Sequence, residues 1–397
     1  MTGLIAACSF QYGLPYLIPA FRAGGLSLAQ SGFLVSTPVL GVLCALVFWG
    51  ALTDRVGERW VLTGGLGGAA AALLVAALLV ASAGARTVAL GVLLFVAGAS
   101  AACVQVASGR LILGWFPGHE RGLAMGLRQT GQPLGVGLAA LTLPVLGGRG
   151  LPSALLFLAA GCGLSAVLIA AGVRDAEREP RTAIAAPSPY RGSSYLWRVH
   201  LASSLLVIPQ FAVAAFAFDY LVTGRGWSTS AAGPLLAVAQ LGGAGIRLAA
   251  GWWSDRAGIR LHPMRSLSVA MAIVLGLLAA GMITGSAIVV PAVLLASVLT
   301  VSTNGLAFTA VAERAGQAWA GRALGVQNTA QNLAAAATPP VIAAVITGFG
   351  AGSGYPVAFS AIVVLPALAA LAIPVGAEHP PDQLASTSAG ASKPGSH

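Results

Sequence analysis

One charged turn occurs twice in this chain, about 200 residues apart. Residues 50–59 read Gly-Ala-Leu-Thr-Asp-Arg-Val-Gly-Glu-Arg, and residues 251–260 read Gly-Trp-Trp-Ser-Asp-Arg-Ala-Gly-Ile-Arg. Gly50, Asp54, Arg55, Gly57 and Arg59 recur in register as Gly251, Asp255, Arg256, Gly258 and Arg260. Each copy follows a long apolar run. A charged turn repeated at the same place in two halves implies two homologous helical bundles. A second echo supports the duplication. Residues 126–132, Gly-Leu-Arg-Gln-Thr-Gly-Gln, match residues 325–331, Gly-Val-Gln-Asn-Thr-Ala-Gln, at glycine, threonine and glutamine.

Of 397 residues, 57% are hydrophobic and 8% charged, against about 25% charged in a soluble domain. Such a chain cannot cover itself with a wetted surface, so it is an integral membrane protein. A spanning helix needs about 20 apolar residues. That window predicts an all-α membrane protein with 12 transmembrane helices, six in each half. The first six lie at about 3–22, 31–52, 60–82, 87–110, 122–146 and 152–173. The second six lie at about 198–222, 231–253, 265–284, 286–310, 322–347 and 355–375. Residues 1–173 are expected to form an N-terminal six-helix bundle and 198–376 a C-terminal one. Between them, 174–197 reads as a polar cytoplasmic linker, and the Pro/Ser/Ala/Gly-rich tail 377–397 as disordered. The segment after Met1 has no basic n-region and no cleavage site, and reads as a retained helix rather than a signal peptide.

The net charge of +10 reads as a sidedness signal, not as a nucleic-acid footprint. With both termini cytoplasmic, only Arg22, Arg86, Arg149 and Arg225 remain outside. Arg55, Arg59, Arg121, Arg174, Arg178, Arg181, Arg191, Arg256, Arg260, Arg265, Arg314 and Arg322 then fall inside, as the positive-inside rule requires. The twin turns are thereby placed in the cytoplasm, between spans 2 and 3 and between spans 8 and 9 of a multi-pass inner (cytoplasmic) membrane protein. Cys8, Cys44, Cys103 and Cys162 lie in apolar runs without paired spacing and read as small core residues. The histidines form no HxxxH or HExxH motif, so no metal site or cofactor is expected. No Ser/His/Asp set or acid pair falls within the spans, which argues against an enzyme.

The turn at 50–59 resembles the loop 2–3 signature of the major facilitator superfamily, G-x-L-x-D-R-x-G-R-R, and 251–260 resembles its weaker copy in loop 8–9. Residues 115–122, Trp-Phe-Pro-Gly-His-Glu-Arg-Gly, look like the loop 4–5 of these proteins. Glu58 departs from the signature, standing where a base is common, and is expected to soften that loop's charge network. The resemblance implies a 6+6 helical fold, a central cavity between the bundles and rocking-type alternating access. It implies a small-molecule substrate, the lipid bilayer and protons as partners, and a monomer. The twin turns then read as a conformational gate. Gly50 and Gly251 let neighbouring helices approach. Asp54 can accept hydrogen bonds from a helix N-terminus, and Arg55 and Arg59 can pair with acids or last-turn carbonyls. A plain topogenic loop is the alternative.

Charges inside a membrane are expensive, so each is a site hypothesis. Arg247 stands eight residues before Asp255, roughly 12 Å along the helix, on a small polar face with Gln240, Gly243 and Gly251. It reads as a substrate contact, with an interhelical anchor as the alternative. Arg128 lies two turns into span 5 beside Gln129 and Gln132, and serves equally as gate or ligand contact. Two arginines without an acidic neighbour at the same depth suit a small anion, most simply a carboxylate, because guanidinium offers a bidentate fork. Tyr12 and Tyr16, four residues apart, form one patch on span 1. With Gln132 and Gln331 they complete the candidate substrate set, each also able to act as an interhelical hydrogen-bonding residue. Asp219, near the outer end of span 7, is the one carboxylate deep enough to consider for proton coupling; a solvated acid beside Arg225 is the alternative. An arginine at this place in span 8 resembles anion-transporting members of the superfamily, and the run Arg128–Gly135 resembles the cyanate/nitroimidazole-type branch. The expectation is a secondary transporter importing a small organic or inorganic anion. Proton-antiport export of drugs or metabolites is the alternative.

Overall fold

The computed structural model describes residues 1–26, 28–83, 86–175 and 187–377. Among these, all regular structure is helical, because a helix satisfies its own backbone groups where no water can. Ten helices are long and apolar enough to cross a membrane: Gln30–Val56, Glu58–Ser82, Thr87–Trp115, Arg121–Gly148, Leu151–Gly172, Tyr195–Ala217, Leu261–Thr284, Val289–Ala315, Ala320–Gly350 and Gly352–Ala377. The pair Thr2–Gln11 and Leu14–Ala23, bent by 49°, makes one more span. The 29-residue helix Thr229–Ala257, which holds Arg247 and the second charged turn, brings the set to twelve. We number these spans 1 to 12 in chain order.

Most boundaries fall within a few residues of those the hydropathy predicts. Span 4 is the informative difference. It runs on to Trp115, past the expected end at about residue 110, and so places Arg110 inside the helix and not at its end. Of the expected linker, residues 176–186 lie outside the described residues, as does the tail from 378 onward.

Several spans are interrupted partway. Span 1 stops at Gln11 and resumes as a 3-10 turn, Leu14–Leu17. Span 4 is divided at Ala102, span 5 at Thr130, and span 10 between Leu299 and Asn304. Each break frees carbonyls that need other partners. The break in span 1 also corrects an expectation. Tyr12 and Tyr16 do not form one patch, because the helix that would align them has already ended.

The buried side chains form two clusters. One draws only on residues 4–169, around Phe10, Phe21, Leu66 and Leu94. The other centres on Met264, Met271, Leu275 and Phe359, and reaches across to Val42, Leu46, Val106 and Met125 of the first half. Leu141, Val88 and Leu241 point outward and are 75–78% exposed, as apolar side chains do when lipid is the solvent.

Candidate functional site

The first turn of a helix leaves N–H groups unpaired, and an N-cap side chain normally accepts from the second or third of them. Span 5 begins at Arg121 after Glu120 and span 11 at Ala320 after Trp319, yet neither preceding side chain makes that bond. The caps come from the opposite bundle. Asp54 accepts from Gly321 N–H at 2.8 Å and Arg322 N–H at 3.0 Å. Asp255 accepts from Gly122 N–H at 2.8 Å and Leu123 N–H at 2.7 Å. A carboxylate at a helix N-terminus stabilises by about 1–2 kcal/mol.

The glycines make room for these caps. A Cβ at Gly50 would lie 2.3 Å from the Gly321 carbonyl oxygen, and one at Gly251 would lie 2.3 Å from that of Gly122. One turn deeper, Gly325 packs on the Leu46 carbonyl and Gly126 on the Arg247 carbonyl. Gly57 (φ 113°) and Gly258 (φ 65°) end spans 2 and 8 with positive φ, which favours glycine.

Each aspartate is held by an arginine that also crosses the interface. In the first half, Arg110 of span 4 sits 3.3 Å from Asp54, pairs with Glu58, and donates to the Gln317 carbonyl at 2.8 Å. In the second, Arg260 pairs with Asp255, lies 3.1 Å from Glu313 of span 10, and donates to the Gly118 carbonyl. Gln317 and Gly118 lie just before spans 11 and 5. The layout is the same, with arginine and glutamate exchanged between loop and helix. The expected softening at Glu58 is therefore corrected. Glu58 is 3% exposed and neutralises Arg110.

Arg59 and Arg256 make contacts within their own half. Arg59 donates to the Ala170 carbonyl at the end of span 6. Arg256 stacks on Trp252 at 4.2 Å, and Arg55 is exposed at the end of span 2.

Two connected chambers lie between the bundles. One, of about 70 Å³, is lined by Arg128 and by amides including Gln105, Gln129, Gln132, Asn328, Gln331 and Asn332. The other, of about 620 Å³, is walled mainly by Pro133, Val136, Phe211, Val213, Ala214 and Val301, and Arg247, Ser297 and Thr300 also line it. They share Tyr12, Gln132, Gln210 and Phe211. Helix register orders them. Along span 5, Arg128 and Gln129 line the small chamber and Val136 and Gly137 the large one; along span 7, Val207 lines the small and Ala214 the large. The small chamber thus lies toward the capped face and the large one toward the opposite face. Among the described residues lining them there is no aspartate or glutamate.

Both arginines are buried, at 7% exposure each. Arg128 donates from Nε to Ser108 Oγ at 2.7 Å and from Nη1 to Gln129 Oε1 at 3.4 Å. Its Nη2 reaches the Gln105 carbonyl, and the guanidinium lies 5.6 Å from the Phe308 ring centre. Arg247 donates from Nη1 to the Gln129 carbonyl at 3.1 Å and from Nε to the Val301 carbonyl at 3.4 Å. Those carbonyls belong to the breaks in spans 5 and 10. Arg247 therefore ties the two breaks together across the bundle interface while lining the large chamber. Neither arginine has a carboxylate within ion-pair distance among the described residues.

Of the other sequence candidates, Tyr12 and Gln132 stand at the junction of the chambers, and Gln331 lines the small one with its Nε2 lacking a hydrogen-bond partner. Tyr16 is exposed, away from both. The Gln240 side chain lies outside the described residues. Asp219 is exposed at the end of span 7, where it accepts a hydrogen bond from Tyr355 of span 12, and it lines neither chamber. Sequence reasoning passed over Arg110, Glu313, Gln210 and Phe211. It also missed buried His200, which bonds Tyr190, near the start of span 7, to Gln327 of span 11. Arg110 was recoverable by the depth argument applied to Arg247, had span 4 been drawn to its full length.

A cavity between two six-helix bundles, closed at one face by reciprocal caps, defines a membrane carrier. The chain belongs to the Major Facilitator Superfamily, which its residues 1–339 match. It is 43% identical over 377 residues to an uncharacterized MFS-type transporter of Mycobacterium tuberculosis strain H37Rv, covering 94% of this chain and 83% of the relative. A second relative, from strain CDC 1551, is 42% identical with the same coverage. The fold is similar to that of the proton:xylose symporter XylE, with a TM-score of 0.72 at 16% identity, covering 93% of each chain. It is also similar to the human organic anion transporter MFSD10, with a TM-score of 0.70 at 19% identity, covering 94% of this chain and 97% of that one. The protein is thus a multi-pass membrane transporter and not an enzyme.

Proposed function

We propose that this transporter carries a small anion, most simply a carboxylate, across the inner membrane by alternating access, with the capped face and both termini toward the cytoplasm. The observation that carries the reading is a pair of buried arginines lining a cavity that has no lining carboxylate. Desolvated guanidinium without a counter-charge favours an anion, and its fork matches a carboxylate. Asp54 and Asp255 supply the conformational control. Their caps form while the cytoplasmic face is closed and break when spans 5 and 11 move away. At about 1–2 kcal/mol per cap, the two bias a two-state equilibrium by roughly 30- to 1,000-fold.

Proton coupling fits this cavity best if the proton travels on the acidic substrate. Asp219 touches neither chamber, so we assign it to the span 7–span 12 contact with Tyr355 instead. The test is uptake of labelled monocarboxylates into proteoliposomes under an inward proton gradient. Arg128→Gln and Arg247→Gln are each expected to lower uptake at least tenfold without loss of folded protein. Full uptake by either variant would remove that arginine from the binding role. No anion uptake, together with altered drug sensitivity on deletion, would favour an exporter.

A further inference from the structure

The two chambers differ in chemistry, and the difference bears on the kind of anion carried. The small one, at about 70 Å³, is far smaller than the large one. Arg128 and the surrounding amides supply its donors, and the Gln331 Nε2, on a side chain 8% exposed, has no partner. The large one, at about 620 Å³, lies within the usual range of organic-ligand pockets. Its wall is mostly apolar: Pro133, Val136, Phe211, Val213, Ala214 and Val301. Arg247, which also lines it, donates to the Gln129 and Val301 carbonyls. A nitrate- or formate-sized ion fits in the small chamber and leaves the large one without an occupant.

We infer that the substrate is an amphipathic organic anion, with its charged head in the small chamber against Arg128 and its apolar body in the large one. This rests on the anion reading above and narrows it. The head enters first and the body trails toward the open face. The junction residues Tyr12, Gln132 and Gln210 meet the substrate where head joins body. Head recognition is shared by all members of such a series, whereas affinity among them is set by the apolar wall.

The experiment measures binding of straight-chain monocarboxylates, acetate to octanoate, to the full chain in nanodiscs, with empty nanodiscs subtracted and the matching 1-alkanols as controls. Affinity is expected to rise about fourfold per methylene, the equivalent of about 0.8 kcal/mol, until the large chamber is full. Alkanols are expected to bind at least tenfold more weakly than the acids. Arg128→Gln should lower every acid by a similar factor, and Val136→Trp should flatten the chain-length slope. A flat series, with acetate or nitrate binding as tightly as hexanoate, overturns the amphipathic substrate while leaving the anion reading intact. Alkanols binding as tightly as acids, with the slope preserved, overturns the anion reading itself. Absence of binding across the whole series overturns both.

Discussion

The two caps that join the bundles are built alike but wired oppositely. In the first, the arginine comes from a membrane helix (Arg110) and its glutamate from the turn (Glu58); in the second, the arginine comes from the turn (Arg260) and the glutamate from a helix (Glu313). The exchange also changes depth. The side chains of Arg110 and Glu58 are 7% and 5% exposed, whereas Glu313 is 25% exposed and also approaches Arg121. A buried pair loses much when one member goes, because the other is left as an uncompensated charge. The second pair is wetted at one end only, since Arg260 is 8% exposed and Glu313 25%, and it loses less to the extent that Glu313 is screened. Two halves with one ancestral plan have therefore reached the same geometry with one rigid lock and one soft one. The geometry they share is the aspartate on the partner's helix.

The largest effect is expected from Gly50→Leu, because its side chain would meet the Gly321 carbonyl, already 2.3 Å from a bare Cβ. The capped face should fail to close, and labelling of a cysteine placed at Leu324, fully buried where span 11 packs on Gly109 of span 4, should rise more than tenfold. Next comes Glu58→Gln, which takes one of two neighbouring carboxylates from Arg110. The closed state should lose about 3 kcal/mol, the low end for a broken buried pair, since Asp54 still lies 3.3 Å from Arg110. Glu313→Gln should cost about 1 kcal/mol or less. Raising salt toward 1 M, where the Debye length is about 3 Å, should weaken the second lock and scarcely move the first. A salt response of equal size in Glu58→Gln and Glu313→Gln backgrounds would erase the distinction between them.

Most of the fold was legible in the sequence because span length and hydropathy are local properties, and the repeat fixed the pairing of the halves. The capping role expected of Asp54 was legible too, since an aspartate in a turn after a helix has few uses so deep in an apolar chain. Which N–H groups it meets was not, because Gly321 and Arg322 lie more than 260 residues away. Glu58 was misread for the same reason. Its partner Arg110 is distant in sequence and looked like the end of a span. Arg128, Arg247, Gln132, Tyr12 and Gln331 do line the cavity, but the division into two chambers depends on where spans 1, 4, 5 and 10 break. Tyr16 shows the cost of assuming an unbroken helix.

Asp54 and Asp255, acting across the bundles, are expected to hold the capped face shut. Spin labels at Val56 and Ala318 flank the first cap, and labels at His119 and Ala257 flank the second; all four side chains are exposed. Pulsed electron paramagnetic resonance distances for both pairs, measured with and without Asp54→Asn plus Asp255→Asn, test the claim directly. The account predicts that a short-distance population dominates in the parent and gives way to a longer one at both pairs in the double variant. Unchanged distance distributions at both pairs would contradict it.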